Sequence, residues 1–258
     1  MYFKLIWVSI RAQMQYRTSF ILLTLSAVMS SFIEFVGIWA FFTRFGTLGT
    51  WTIFDVGVFY GMGHSAFALC EMIARGFDTF HNHVRTGDFD RTLLRPRGTV
   101  VQVMGSELDM MRVGRLIQAV AILLWSCANL EFSWGISHWL LCLEAIIGGF
   151  FMFSGVIVMQ ATACFWTVES IEIWNILTYG GVTALQYPMD IYHKAVRYLF
   201  TYLLPLAAIN FWPCAYLLNK TYCPAWWSFT SPLLGLAVFL LSLAIWRFGV
   251  HHYRSTGS

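Results

Sequence analysis

The chain has 258 residues, of which 58% are apolar, 18% aromatic and only 11% charged, with a formal net charge of +3. Soluble domains carry about 25% charged residues, so this chain has too few to solvate a globule of its size, which excludes soluble enzymes and nucleic-acid modules. So small a net charge gives no argument for a polyanionic partner; where the cations sit along the chain says more.

Residues 1–18 read as an interfacial amphipathic helix. Phe3, Trp7, Ile10 and Met14 form one apolar stripe and Lys4, Arg11 and Gln15 a polar one, a pattern that lies in the headgroup plane. Arg11 and Arg17 interrupt the apolar character and no small-residue cleavage site follows, so a cleavable signal is not expected. Hydropathy predicts spans at 19–42 and 51–74, a charged segment at 75–112, further spans at 116–133 and 138–164, and a last one at 230–248. Residues 170–218 admit two readings. In one, 170–187 is the fifth span and 188–218 a re-entrant helical pair; in the other, which hydropathy alone favours, 195–218 is the fifth span despite Pro205 and Pro213.

Twelve of the 16 cations fall in the N-terminal helix, the 75–115 segment and the C-terminal tail. By the positive-inside rule both termini and that segment are cytoplasmic, which requires an even number of spans, and six fits. The six cysteines, at 70, 127, 142, 164, 214 and 223, are scattered with no C-x-x-C, so no metal site is expected. Cys214 and Cys223 share the expected outer side, where a pairing stays open. No repeat or linker divides the chain, so 1–258 reads as one membrane domain.

Small and polar residues recur along three spans. Gly57, Gly61, His64, Ala68, Glu71 and Arg75 fall on one face of the second, with Glu71 and Arg75 at the spacing of an ion pair; Ser26, Ser30, Glu34 and Gly37 do so in the first, and Glu144, Gly148 and Gly155 in the fourth. Gly57-x-x-x-Gly61 permits close helix approach. Ionisable groups at such depth face protein or water, so Glu34, His64 and Glu144 are expected to point into the bundle, either joining helices or lining a path.

Residues 85–97, RTGDFDRTLLRPR, carry six charges in 13 positions. Phe89, Leu93 and Leu94 lie among them at spacings that a short helix gathers on one side, forming a ridge suited to a groove on another protein; the bland alternative is a basic loop held against anionic lipid. GDFDRTLLRP between the second and third spans resembles the cytoplasmic signature of permease subunits of type-2 ATP-binding-cassette (ABC) exporters. The later Tyr187-Pro188, Ile191-Tyr192, Arg197, Leu204-Pro205-Leu206 and Pro213 resemble the same family's segment before its last span.

The resemblance implies an all-α membrane protein with an interfacial first helix, six transmembrane helices and a re-entrant pair at 188–218, which makes 170–187 the fifth span. It implies a coupling helix at about 85–97 bound by a cytoplasmic ATP-binding subunit dimer, with Arg85, Asp88, Phe89, Asp90, Arg91, Leu93, Leu94 and Arg95 at the contact. It further implies a second permease, the same chain or a related one, in the inner membrane of a bacterium or archaeon, with ATP and magnesium in the partner and no cofactor here. No Gly-Lys dipeptide occurs, so this chain has no P-loop and is not the ATPase. A hydrophobic or amphipathic cargo (drug, lipid or peptide) fits the aromatic-rich spans, with membrane lipid as a further contact. The competing reading is an intramembrane enzyme or assembly factor built on Glu34, His64 and Glu144.

Overall fold

The computed structural model describes residues 13, 15, 17–167, 173–220 and 224–253. Most of the expected interfacial helix, and Cys223, lie outside the described residues. The described chain forms α1 (Arg17–Phe45) and α2 (Ile53–Ile73), then four short helices, α3 (Arg75–Asp78), α4 (Phe80–Arg85), α5 (Asp88–Leu93) and α6 (Thr99–Met104). There follow α7 (Arg112–Ala128), α8 (Ile136–Thr167), α9 (Ile173–Leu177), α10 (Tyr179–Leu185), α11 (Lys194–Tyr198), α12 (Trp212–Leu217) and α13 (Ser231–His252). No strand occurs among the described residues, and α1, α2, α8 and α13 are each long and apolar enough to cross a bilayer. This is an all-α membrane protein.

The helix α2 is buried along nearly its whole length, with α7 on one side and α8 on another, while α1 lies mainly against α7 with most of its surface exposed. Lipid tails are as apolar as leucine, so van der Waals packing and polar links, not the hydrophobic effect, bring such helices together. Small residues make the approach possible. A Cβ on Gly57 would overlap Ser126 of α7, and one on Gly61 would lie 2.6 Å from Leu123 Cβ. The most extensive contact, between α8 and α13, is built the same way: a Cβ on Gly148 would overlap Ser231, and one on Gly235 would overlap the Gly148 carbonyl.

The turn from α1 to α2 is organised by a capping box. Thr52 Oγ1 accepts from Asp55 N at 3.2 Å, and Asp55 Oδ2 accepts from Thr52 N at 2.8 Å. Both ends of the 190–220 segment return to this turn: Asp190 accepts from the Trp51 indole at 3.1 Å, while Lys220 donates to Asp55 at 2.9 Å and sits 4.0 Å from the centre of the Trp51 ring. Between those anchors the chain folds back on itself, since Lys194–Leu203 and Ala207–Leu217 meet at 85°. The bend falls at Pro205, which has no N–H for a continuous helix. Asn210 holds the second limb inside, donating to the carbonyls of Phe59 (3.2 Å) and Leu185 (2.8 Å).

Several expected bounds differ. The described part of the expected 170–187 span, residues 173–187, is not one rod: α9 and α10 are separated at Thr178, whose hydroxyl donates back to Trp174 O at 2.9 Å. The helix α7 begins four residues before the expected 116 and stops at Ala128, because Asn129 turns its side chain back onto Trp125 O at 2.8 Å. Cys214 is a free, fully buried thiol 3.4 Å from Met62 Sδ. At the other end of the bundle, Gln13 bonds the Leu108 carbonyl and Tyr253 meets Phe89 at 5.1 Å. Both described ends therefore sit beside the 75–112 segment.

Thermal unfolding in detergent tests the packing: Gly148→Val should cost about 2–3 kcal/mol as an overpacking change, whereas Gly37→Val should cost almost nothing, since a Cβ there meets nothing within 4 Å.

Candidate functional site

The segment between α2 and α7 forms a projecting tip. Gly87 holds φ +72°, the left-handed turn that ends α4 and opens α5. Asp88 and Asp90 then occupy the first turn of α5, where the helix dipole favours negative charge. The expected helix over 85–97 is thus shorter, ending at Leu93, because Pro96 bars continuation. The following loop is held from inside by Gln102, whose Nε2 donates to the carbonyls of Thr92 (3.2 Å) and Arg97 (3.0 Å).

Arg85, Asp88, Arg91, Leu93, Leu94 and Arg95 are exposed on this tip and Asp90 is half-buried. Leu94, 86% exposed, is its most prominent apolar side chain. Phe89 departs from the expectation that it belongs to an outward ridge. It is fully buried, with ring centres of Phe80, Tyr253 and Phe165 at 5.0, 5.1 and 5.4 Å and Trp246 at 6.1 Å. Phe165 belongs to the end of α8 and Trp246 to α13, so one side chain of the tip is clamped between two long helices. Burying an aromatic ring in such a cluster is the most favourable disposition open to it.

A second cluster sits where α2 ends. Glu71 is buried, accepts from Arg115 at 2.8 Å and the Tyr179 hydroxyl at 3.3 Å, and pairs with Arg112 at 3.3 Å. Arg115 also donates to Ser31 Oγ at 3.2 Å, and Arg112 to Asp109 at 3.1 Å. One carboxylate therefore connects α1, α2, α7 and α10. The ion pair expected between Glu71 and Arg75 does not form: α2 ends at Ile73, Ala74 leaves the helix, and Arg75 opens α3 and pairs with Asp78. Arg112 and Arg115 read in the sequence as solvated positive-inside residues. The signal that pointed to them was the lone acid, Glu71, at membrane depth, which required a cation from another helix.

Further along α2, Gln186 donates to Glu34, which the structure leaves exposed on α1 instead of pointing into the bundle, and, at 3.0 Å, faces the buried His64 Nε2. An amide nitrogen only donates, so His64 Nε2 accepts and the ring proton sits on Nδ1, which has no partner among the described residues. The His64 ring stacks on Tyr60 at 4.0 Å, and the Tyr60 hydroxyl donates to Ser31 O at 3.2 Å. Glu34 and His64 are thus brought together through a residue that the sequence did not single out. Glu144 does not join them: it is partly buried and makes no hydrogen bond or ion pair among the described residues. Of the other stripe residues, Gly57, Gly61 and Gly148 serve close packing, whereas Ser30 is exposed and bonds its own helix at Ser26 O, 3.0 Å away.

Breaking a buried ion pair by removing one partner costs about 3–5 kcal/mol, so Glu71→Ala should strongly lower the melting temperature in detergent. Arg75→Ala should cost under about 1 kcal/mol, as expected for a partly exposed pair within one short helix.

Comparison with known proteins adds the family. A family model described as an ABC-2 family transporter protein matches residues 28–257. That stretch takes in α2 to α13 and most of α1, and so covers the tip and both buried clusters. No curated protein and no solved structure matches the chain. With nearly the whole membrane bundle inside the match, the chain belongs to the ABC-2 family of transporter proteins.

Proposed function

We propose that this permease subunit forms, with a copy of itself or a related permease, the membrane half of an exporter for a hydrophobic or amphipathic cargo. A separate cytoplasmic ATPase dimer binds ATP and magnesium and drives the cycle. In this reading both termini and residues 75–112 face the cytoplasm of a bacterium or archaeon, the 85–97 tip is the ATPase contact, and 188–218 is a re-entrant pair at the outer face. The return of both ends of 190–220 to the α1–α2 turn supports the last assignment, since a crossing segment would end on opposite sides.

The observation that carries this reading is the clamped ring of Phe89. The charged outer side of α5 is exposed for a partner, while its inner side is wedged between the ends of α8 and α13. Tilting α5 must move those ends, because a packed aromatic cluster does not deform continuously. When ATP closes the partner dimer, differential affinity of the ATPase for two positions of α5 shifts the bundle between them. Leu93 and Leu94 supply apolar contact, with Asp88, Arg91 and Arg95 setting register by charge. Within the membrane, the Glu71 cluster joins four helices and keeps them moving together, and the Glu34–Gln186–His64 contacts connect α1, α2 and the end of α10. Nothing in this arrangement favours the intramembrane enzyme, because Glu144 is not assembled with Glu34 and His64.

In proteoliposomes holding permease and ATPase, Arg91→Glu should uncouple ATP hydrolysis from transport while leaving the permease folded. Arg91 is 81% exposed and among the described residues pairs with Asp88, at 3.6 Å, so its loss costs little stability. Unchanged coupling in that variant would remove α5 from the contact. Phe89→Ala should instead destabilise the permease itself, by about 3 kcal/mol or more.

A further inference from the structure

The bent pair encloses a cavity of about 420 Å³ whose lining includes Lys194 and Arg197 on the first limb, Ala207 and Trp212 on the second, and Trp227 from the following 3₁₀ turn (Ala225–Phe229). Its charge is one-sided, and the hydroxyls of Tyr198, Thr201 and Tyr202, which both donate and accept, complete its polar lining. Lys194 and Arg197 stand three residues apart on α11, both exposed and with no carboxylate partner among the described residues. The Trp227 indole nitrogen is buried and has no hydrogen-bond acceptor among the described residues. The lining carries two cations and no carboxylate, each of its other polar side chains can donate a hydrogen bond, and like charges one helical turn apart repel unless an anion lies between them. The guanidinium fork matches phosphate or carboxylate oxygens in pairs. Beside the donors lies an apolar surface on which Trp212 and Trp227 meet at 4.6 Å.

The cavity also sits at a definite level. The 3₁₀ turn leads directly into α13 at Ser231, and the far end of that 22-residue helix packs on Phe89 of the tip. At 1.5 Å per residue the helix runs about 22 Å from Ser231 to Trp246 and about 33 Å to Tyr253, both of which pack on Phe89, a span comparable to a bilayer's hydrocarbon core. The cavity therefore lies at the headgroup level opposite the tip.

We propose that this cavity binds the anionic headgroup of an amphiphile, a phosphate or carboxylate held by Lys194, Arg197 and the Trp227 N–H, with the adjoining apolar chain laid against the indoles. The occupant is either a phospholipid of the bilayer or the cargo itself. The cargo case rests on the exporter reading above; the binding site does not.

The test is binding of radiolabelled dodecyl phosphate to the full chain in phosphatidylcholine nanodiscs, with dodecanol as the uncharged control. Dodecyl phosphate should bind about tenfold more weakly to the Lys194→Gln/Arg197→Gln double variant. Trp227→Phe, which keeps the ring's apolar bulk and removes the N–H, should weaken it about threefold. Dodecanol should bind all three proteins alike, showing that the cavity is still formed. Equal affinity of wild type and double variant for dodecyl phosphate would overturn the proposal. Competition by phosphatidylglycerol built into the nanodisc identifies a lipid occupant. Absence of that competition, together with stimulation by dodecyl phosphate of the ATPase in the assembled transporter, identifies cargo. Because binding is read on the permease alone, failure to find an ATPase partner would sink the exporter reading and leave this result standing.

Discussion

A helix surrounded by other helices in a bilayer gains almost nothing by hiding its leucines, because the lipid is as apolar as they are. What holds α2 at the centre of this bundle is therefore close contact and a small number of polar links. Gly57 and Gly61 let α7 approach, and Glu71 draws in Arg112 and Arg115. The rest of the architecture follows from that position. The helix α7 carries α1 on its outer side, α8 packs on α2 and presents Gly148 to α13, and the bent segment hangs from the α1–α2 turn.

The polar links differ in what they tie. The Asp55–Lys220–Trp51 group joins loops at one end, with Asp55 and Trp51 buried and the Lys220 side chain 21% exposed, and so closes the fold at that end. The Glu71 cluster is buried and joins four helices, so its members cannot separate without stranding a charge. The Phe89 cluster has no charge at all and works by shape. A permease that must change conformation without dissociating has use for all three: a latch, a node that keeps helices together, and a lever between the tip and the membrane.

The polar stripes of the second, first and fourth spans turn out to have unequal roles, although their spacing looks alike. In the second span the glycines pack and the ionisable residues reach partners on other helices. In the first, Glu34 accepts from Gln186 while Ser30 bonds its own helix and Gly37 faces open space, so that stripe is paired at one position and open at others. In the fourth, Gly148 is enclosed while Glu144, one helical turn earlier, is left partly exposed. Periodicity identifies a face; which neighbour the face meets depends on helices far away in the chain.

The residues by themselves determined the solvent, the helical class and the position of the charged tip, because hydropathy and the clustering of Arg85 to Arg97 are properties of short windows. They also determined the family, through GDFDRTLLRP and the later proline pattern. Only the tertiary structure decided that Phe89 points inward, that Glu71 pairs with Arg112 and Arg115 instead of Arg75, and that Gln186 stands between Glu34 and His64. Each of these depends on a helix end or a bend: Ala74 turning Arg75 away, Gly87 rotating α5, and Thr178 and Pro205 breaking the fifth segment. A break of one residue redirects every side chain after it, and the direction is set by packing between elements more than 40 residues apart in the chain, as with Glu71 and Arg115.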